Sequence, residues 1–262
     1  MNVLLTNDDG IHARGIWALY RRFSKKHLVT VIAPDRQRSA IGHAITLHKP
    51  IHCNRVTVEG GFSGYAVSGT PADCIKIGIN MLLKCKPDMV ISGINPGANV
   101  GINVNYSGTV CAAREAGLYG ITAISVSIGG SETDHYADAA RFIETLAERI
   151  VQERLPAGTV LNVNIPDIPL SKTAGVRISR LEMGGFEEQF EKRTDPRNRT
   201  YYWQGCEQRR SFPHKDSDGA ALEQNYITIT PLVSDLTDYR AMEALKTWHL
   251  EGRIPIEGDN VC

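Results

Sequence analysis

The chain has 262 residues, 42% of them hydrophobic and 22% charged, with 29 basic and 29 acidic side chains in balance. That length can bury a core without disulfides or structural metals, and that composition excludes a disordered chain. A neutral chain has no overall field to draw in polyanions, which argues against stable nucleic-acid binding.

In chain order, residues 2–6 (NVLLT) predict a first strand and residues 16–25 a helix. Residues 28–33 (LVTVIA) predict a second strand, closed by Pro34. Residues 51–58 and 65–67 read as a hairpin, with Gly60, Gly61 and Gly64 at the turn. Helical spacing follows over 72–83, a short apolar strand over 89–92 and a small-residue helix from 108 to 116. Residues 122–127 predict a strand, 134–153 a long helix, and 160–165 a strand that stops at Pro166. Apolar strands alternating with helices point to a mostly parallel sheet covered on both faces, in an α/β, Rossmann-like, doubly wound fold. Beyond Pro166 the chain changes character. A highly charged stretch over 187–199 precedes Tyr201-Tyr202-Trp203, residues 225–230 (NYITIT) alternate like an antiparallel strand, and 235–248 suits a helix. The expected division is a Rossmann-like catalytic core over 1–166 and a C-terminal extension over 167–262 that carries a β-hairpin arm and a helix. Mixed charge and exposed aromatics on such an arm suit docking on a second subunit; a solvated arm of the same monomer is the alternative.

The first residues run straight into Asn7-Asp8-Asp9, without the basic and long apolar regions of a signal peptide. No stretch approaches the ~18 apolar residues of a membrane span. The six cysteines, at 53, 74, 85, 111, 206 and 262, form no C-x-x-C pair. Several lie in apolar segments, which predicts reduced, mostly buried thiols and a cytoplasmic protein.

Four segments at predicted strand ends carry the chemistry. Thr6-Asn7-Asp8-Asp9-Gly10 follows the first strand, and in open α/β sheets ligands bind beyond the carboxyl ends of the strands. Two adjacent carboxylates repel unless a cation or donors compensate them, and hard oxygens favour Mg²⁺, Mn²⁺ or Ca²⁺ over zinc. An Asx turn capping the next helix is the plain alternative. Residues 33–39 (APDRQRS) offer Ser39 as a neutral oxygen ligand and arginines for phosphate, though they also suit a surface loop. Residues 92–101 (SGINPGANVG) bracket Asn95 and Asn99 with glycines. Asn95 offers a carbonyl oxygen to a metal and Asn99 an amide to an anion; an Asn-Pro-Gly turn explains only part of that string. Ser107, Gly108 and Thr109 open a helix and present N–H groups to phosphate, or serve as a simple cap.

Other features are set aside. His43, His48 and His52 lack zinc spacing. Asp73, at a helix start, suits a structural hydrogen bond. Neither G-x-G-x-x-G, G-x-x-x-x-G-K-[ST] nor G-x-S-x-G occurs, which argues against dinucleotide, NTPase and α/β-hydrolase chemistry. After the first strand the two aspartates are adjacent, not spaced as in the D-x-D of haloacid-dehalogenase-type phosphatases.

Taken together, NDDG at 7–10, APDRQRS at 33–39, GTPADC at 69–74, SGINPGANVG at 92–101 and YSGTVCAAREAG at 106–117 resemble the SurE family of stationary-phase survival proteins, which act as nucleoside monophosphate phosphatases. Five separated motifs in order over the first 125 or so residues are far more specific than any one of them. The C-terminal third is similar only in general character. The resemblance implies a metal-dependent 5'-nucleotidase that also takes 3'-monophosphates and, in some members, short polyphosphate. It implies one Mg²⁺ or Mn²⁺ per subunit held by Asp8, Asp9, Ser39 and Asn95, with Asn99, Ser107, Gly108 and Thr109 around the phosphate. It also implies a homodimer or homotetramer with a swapped C-terminal extension. The sequence departs from the family after Ser39, where it reads Ala40-Ile41-Gly42-His43 in place of a Gly/Ser-rich run, and at Cys111, a common glycine. A non-catalytic nucleotide- or metal-binding module, or a scaffold working through its arm, are the competing functions.

Overall fold

The computed structural model describes all residues except 59, 185, 188, 205–208, 211 and 249–262. Strand β1 (Asn2–Thr6) leads into α1 (Arg14–Phe23) and β2 (Leu28–Pro34). The antiparallel pair β3 (Cys53–Thr57) and β4 (Ser63–Val67) follows, then α2 (Pro71–Ile77), β5 (Met89–Pro96) and α3 (Gly108–Leu118). The core continues through β6 (Ala123–Ile128), α4 (Tyr136–Glu153) and β7 (Val160–Ile165). After Pro166 come β8 (Gly175–Ile178), the two-residue strand β9 (Phe186–Glu187), β10 (Phe190–Thr194), β11 (Thr200–Gln204), β12 (Arg209–Arg210), α5 (Asp218–Glu223), β13 (Tyr226–Leu232) and α6 (Tyr239–Lys246).

Nine strands form one sheet in the order β3-β4-β2-β1-β5-β6-β7-β13-β8. The run from β4 to β7 is parallel throughout, as the alternation of strands and helices predicts. From β1 the chain winds outward through β2 to β4, then returns to place β5 on the other side of β1. The strand order therefore reverses between β1 and β5, at the two strands that end in Asp8-Asp9 and Asn95.

The strands are buried on both faces, and the pleat sorts their side chains into two cores. Val3, Leu5, Val31, Met89 and Ile91 face α1 and α4, meeting Ile16, Leu19, Phe23, Ile143 and Ala147. Leu4, Ile32 and Val90 face α2 and α3, meeting Ile75, Ala112, Ala113 and Ala116. Fully burying one such aliphatic side chain contributes about 1.5–3 kcal/mol. The alanines of α3 let that helix lie close against β5 and β6.

The region after Pro166 divides its strands. β13 pairs antiparallel with β7, and β8 pairs parallel with β13, so both extend the main sheet. β10 and β11 form a separate antiparallel hairpin with Phe190, Tyr202 and Trp203 exposed. The long helix read at 72–83 is shorter than its spacing predicts: α2 stops at Ile77 and the chain passes into a wider turn over Gly78–Leu82. Of the cysteines, Cys74 and Cys111 are buried, Cys53 is half-buried, Cys85 is exposed, and all four are free thiols. Cys206 and Cys262 lie outside the described residues. No helix among the described residues is long and apolar enough to cross a membrane.

Candidate functional site

At the carboxyl end of β1 the chain makes a tight turn. The Asn7 side chain accepts from the Gly10 N–H at 3.1 Å and donates to the Gly10 carbonyl at 3.0 Å. Gly10 has φ +97°, a region that favours glycine, and a Cβ there would stand 3.0 Å from the Arg36 backbone. The turn read at 7–10 is therefore real, and it exists alongside the paired acids rather than instead of them.

Asp8 is buried, and its Oδ1 accepts the Thr109 hydroxyl from the first turn of α3. Burial raises its pKa, opposed by the Thr109 hydroxyl and by the backbone N–H groups at the start of α3. Asp9 has no such donors. Burial and then the neighbouring Asp8 charge push its pKa up to about 7, and its Oδ2 is buried without a partner among the described residues. An orphaned buried carboxylate oxygen beside a second carboxylate is the environment that a hard divalent cation relieves.

Three other elements converge on the same place. The loop after β2 is tied down by the Arg38 N–H, which donates to the Asp8 carbonyl at 2.6 Å. It carries Ser39, whose hydroxyl oxygen accepts from Gln37 at 2.9 Å. The register between β5 and β6 shifts between Ser92 and Asn95, and such a bulge re-aims the residue that follows it. Asn95 commits its amide N–H groups to the Pro96 and Gly97 carbonyls, at 3.2 and 2.7 Å, so its Oδ1 is the side-chain atom left to accept. Ser107 caps α3 by accepting from the Val110 N–H. One cleft of about 770 Å³ is lined by Asp8, Asp9, Ser39, Asn95, Asn99 and Ser107 together with Gln37, Asn103, Tyr106, Ser131 and Gln204. The residues that the sequence singled out as metal ligands thus border one space, and all of them offer oxygen.

Gly108 and Thr109 stand behind this wall rather than on it. A Cβ at Gly108 would lie 2.7 Å from Asp8 Cβ, and Thr109 is fully buried. The anion that the start of α3 faces in this structure is Asp8 itself. Asn99 lines the cleft, but its side-chain amide donates to Ser127 at 2.8 Å and its backbone carbonyl accepts from Asn162 and Asn164.

Sequence reasoning missed the supports. Asn162 and Asn164 hold Asn99 from β7, and their signal was two polar residues in an otherwise apolar buried strand, VLNVNI. Buried Asp218 accepts from the N–H groups of Gly101, Glu182 and Gly219, tying the loop after β5 to the region beyond Pro166. No local pattern marks it. Of the residues set aside, Asp73 forms a reciprocal capping box with Thr70, and His43 contacts Glu115 at 2.8 Å.

A second group, His27, Glu144 and Glu148, brings ligand-type atoms within 4.8 Å of one another. It lies just before β2, at the opposite end of the strands from Asp8. Arg22 and Lys26 already neutralise its carboxylates, at 2.5 and 2.9 Å. It is the weaker candidate.

The chain is similar to known proteins over most of its length. The family model described as "Survival protein SurE" matches residues 3–188. The chain is 51% identical over 251 residues to the "5'-nucleotidase SurE" of Desulfatibacillum aliphaticivorans, covering 96% of this chain and 99% of that one. It is 47% identical over 247 residues to the "5'-nucleotidase SurE" of Syntrophus aciditrophicus, covering 94% and 93%. The crystal structure of the SurE protein from Aquifex aeolicus superposes with a TM-score of 0.83 at 34% identity, covering 95% of this chain and all of that one.

Proposed function

The chain belongs to the SurE family, and on that premise we propose that it is a divalent-metal-dependent phosphomonoesterase that hydrolyses nucleoside 5'-monophosphates to nucleoside and inorganic phosphate. The observation that carries the reading is the buried, unpartnered Asp9 oxygen beside Asp8, at the point where the strand order reverses. The alternative of a non-catalytic binding module has no observation in its favour, and the relatives above are named as nucleotidases.

Asp8, Asp9, Ser39 Oγ and Asn95 Oδ1 would hold one Mg²⁺ or Mn²⁺, for which an all-oxygen donor set suits. A cation there supplies charge neutralisation at the phosphoryl oxygens and acidifies water. The protein's own groups do the rest. Thr109 and the start of α3 donate to Asp8 and favour its ionised form against the effect of burial. Ser107 and Asn99, on the cleft wall, orient the phosphate, while Gly108 and Thr109 act through Asp8. Asp9, whose Oδ2 has no donor among the described residues, is the carboxylate suited to accept the proton of the attacking water. Adjacent rather than D-x-D aspartates, one of them held by Thr109, favour direct attack by water over an aspartyl-phosphate.

The same chemistry extends to 3'-monophosphates and short polyphosphate, because the residues assigned here grip the phosphate and not the sugar. The arm with exposed Phe190, Tyr202 and Trp203 suits a homodimer or homotetramer, and the composition of the chain suits the cytoplasm. Release of inorganic phosphate from AMP, with Mn²⁺ or Mg²⁺ and with EDTA, tests the activity and its metal requirement together.

A further inference from the structure

The cleft continues past the paired acids, and its outer wall is of a different kind. Tyr106 is the aromatic residue among its lining side chains, and it is 54% exposed. An isolated exposed tyrosine on a surface needs no explanation. This one is held where a ligand would meet it. Its N–H donates to the Asn103 carbonyl and its carbonyl accepts from the Gly42 N–H, both at 3.0 Å, so the backbone beneath the ring is fixed from both sides. The next residue, Ser107, caps α3 and lies on the phosphate wall. The same cleft is lined by the amide-bearing Asn103 and Gln204, while the Gln37 amide donates to Ser39. Gln204 comes from the end of β11, so the root of the hairpin arm closes this part of the cleft.

We propose that Tyr106 is the platform on which the base of a nucleotide stacks, with the amides of Asn103 and Gln204 facing the base edge. This deepens the nucleotidase reading and rests on it. A flat, half-exposed aromatic beside a phosphate site is what a π-faced ligand needs, and every nucleobase presents such a face. An amide both donates and accepts, so it matches the edge of any base by rotating. The ring therefore selects for the presence of a base, and the amides leave its identity open: purine and pyrimidine monophosphates compete on similar terms, and a phosphate ester without a base loses the platform.

The test compares AMP with ribose 5-phosphate, which shares the phosphate and the pentose but has no base. The readout is the ratio of kcat/KM for the two substrates in the wild type, Tyr106→Phe, Tyr106→Trp and Tyr106→Ala. The expected result is a wild-type ratio above one that falls about tenfold or more in Tyr106→Ala, mainly through the KM for AMP, and is kept by the Phe and Trp variants. A ratio unchanged in Tyr106→Ala, including a variant that loses both substrates equally, overturns the platform while leaving the nucleotidase intact. A wild type that releases phosphate from ribose 5-phosphate but not from AMP also overturns the platform. A wild type that releases phosphate from neither overturns the nucleotidase reading and the platform with it.

Discussion

Thr109, in the first turn of α3, donates its hydroxyl to Asp8 Oδ1 at the end of β1. Together with the close approach of Gly108, this contact couples the helix to the first strand at the point where the acids gather. It also separates the roles of the two aspartates. Asp8 is held by protein donors, and Asp9 is left with a buried, unpartnered oxygen.

Replacing Thr109 by valine keeps the volume and removes the donor. Asp8 Oδ1 then loses its partner inside the protein, which costs about 1–3 kcal/mol of stability. Turnover of AMP is expected to fall about tenfold, with more metal needed for half-maximal activity, while Thr109→Ser stays near the wild type. Denaturant melts and metal titrations of activity check both effects.

The metal-free protein should lose stability as the pH rises. Burial and the Asp8 charge push the Asp9 pKa in the folded protein up to about 7, above the ordinary carboxylate value of 3.8. Between those values the folded state binds more protons than the unfolded one, so stability declines with rising pH and the full cost is present above about 7. Thermal melts in EDTA between pH 5 and pH 8 should show a falling Tm in the wild type and a flatter profile in Asp9→Asn, with the variant the more stable at pH 8. A wild-type profile as flat as the variant's contradicts the account.

Much of this was legible in the sequence, for reasons specific to each residue. The parallel sheet shows because β1, β2, β5 and β6 are short apolar runs separated by helices, and the cleft shows because its acids and asparagines fall where those runs end. Asn225–Thr230 reads as antiparallel, and β13 does pair antiparallel with β7. What stayed hidden depends on contacts between distant segments. Asp218 reaches Gly101 across more than a hundred residues, and Thr109 reads as a phosphate ligand until the fold turns its hydroxyl toward Asp8.

Gly108→Ala tests the packing of α3 against β1. A Cβ there would stand 2.7 Å from Asp8 Cβ and 3.0 Å from its Oδ2, so the carboxylate must move. We expect activity to fall about a hundredfold for a stability loss of about 1–3 kcal/mol. Parallel kinetics and melts of the variant check the disproportion.

Asp218→Ala tests the support from beyond Pro166. It leaves three backbone N–H groups, those of Gly101, Glu182 and Gly219, without their acceptor. The expected cost is about 3 kcal/mol or more, and Asp218→Asn, which keeps one acceptor oxygen, should cost less. Urea unfolding of both variants checks the order.

The most direct measurement is phosphate release from AMP by the wild type, Asp8→Asn and Asp9→Asn, each with Mn²⁺, with Mg²⁺ and with EDTA. The account predicts turnover by the wild type that chelation abolishes and added metal restores, and a loss of about 10²-fold or more in each variant without loss of the fold by circular dichroism. Near-wild-type turnover by Asp8→Asn, or full activity in chelator, would contradict it.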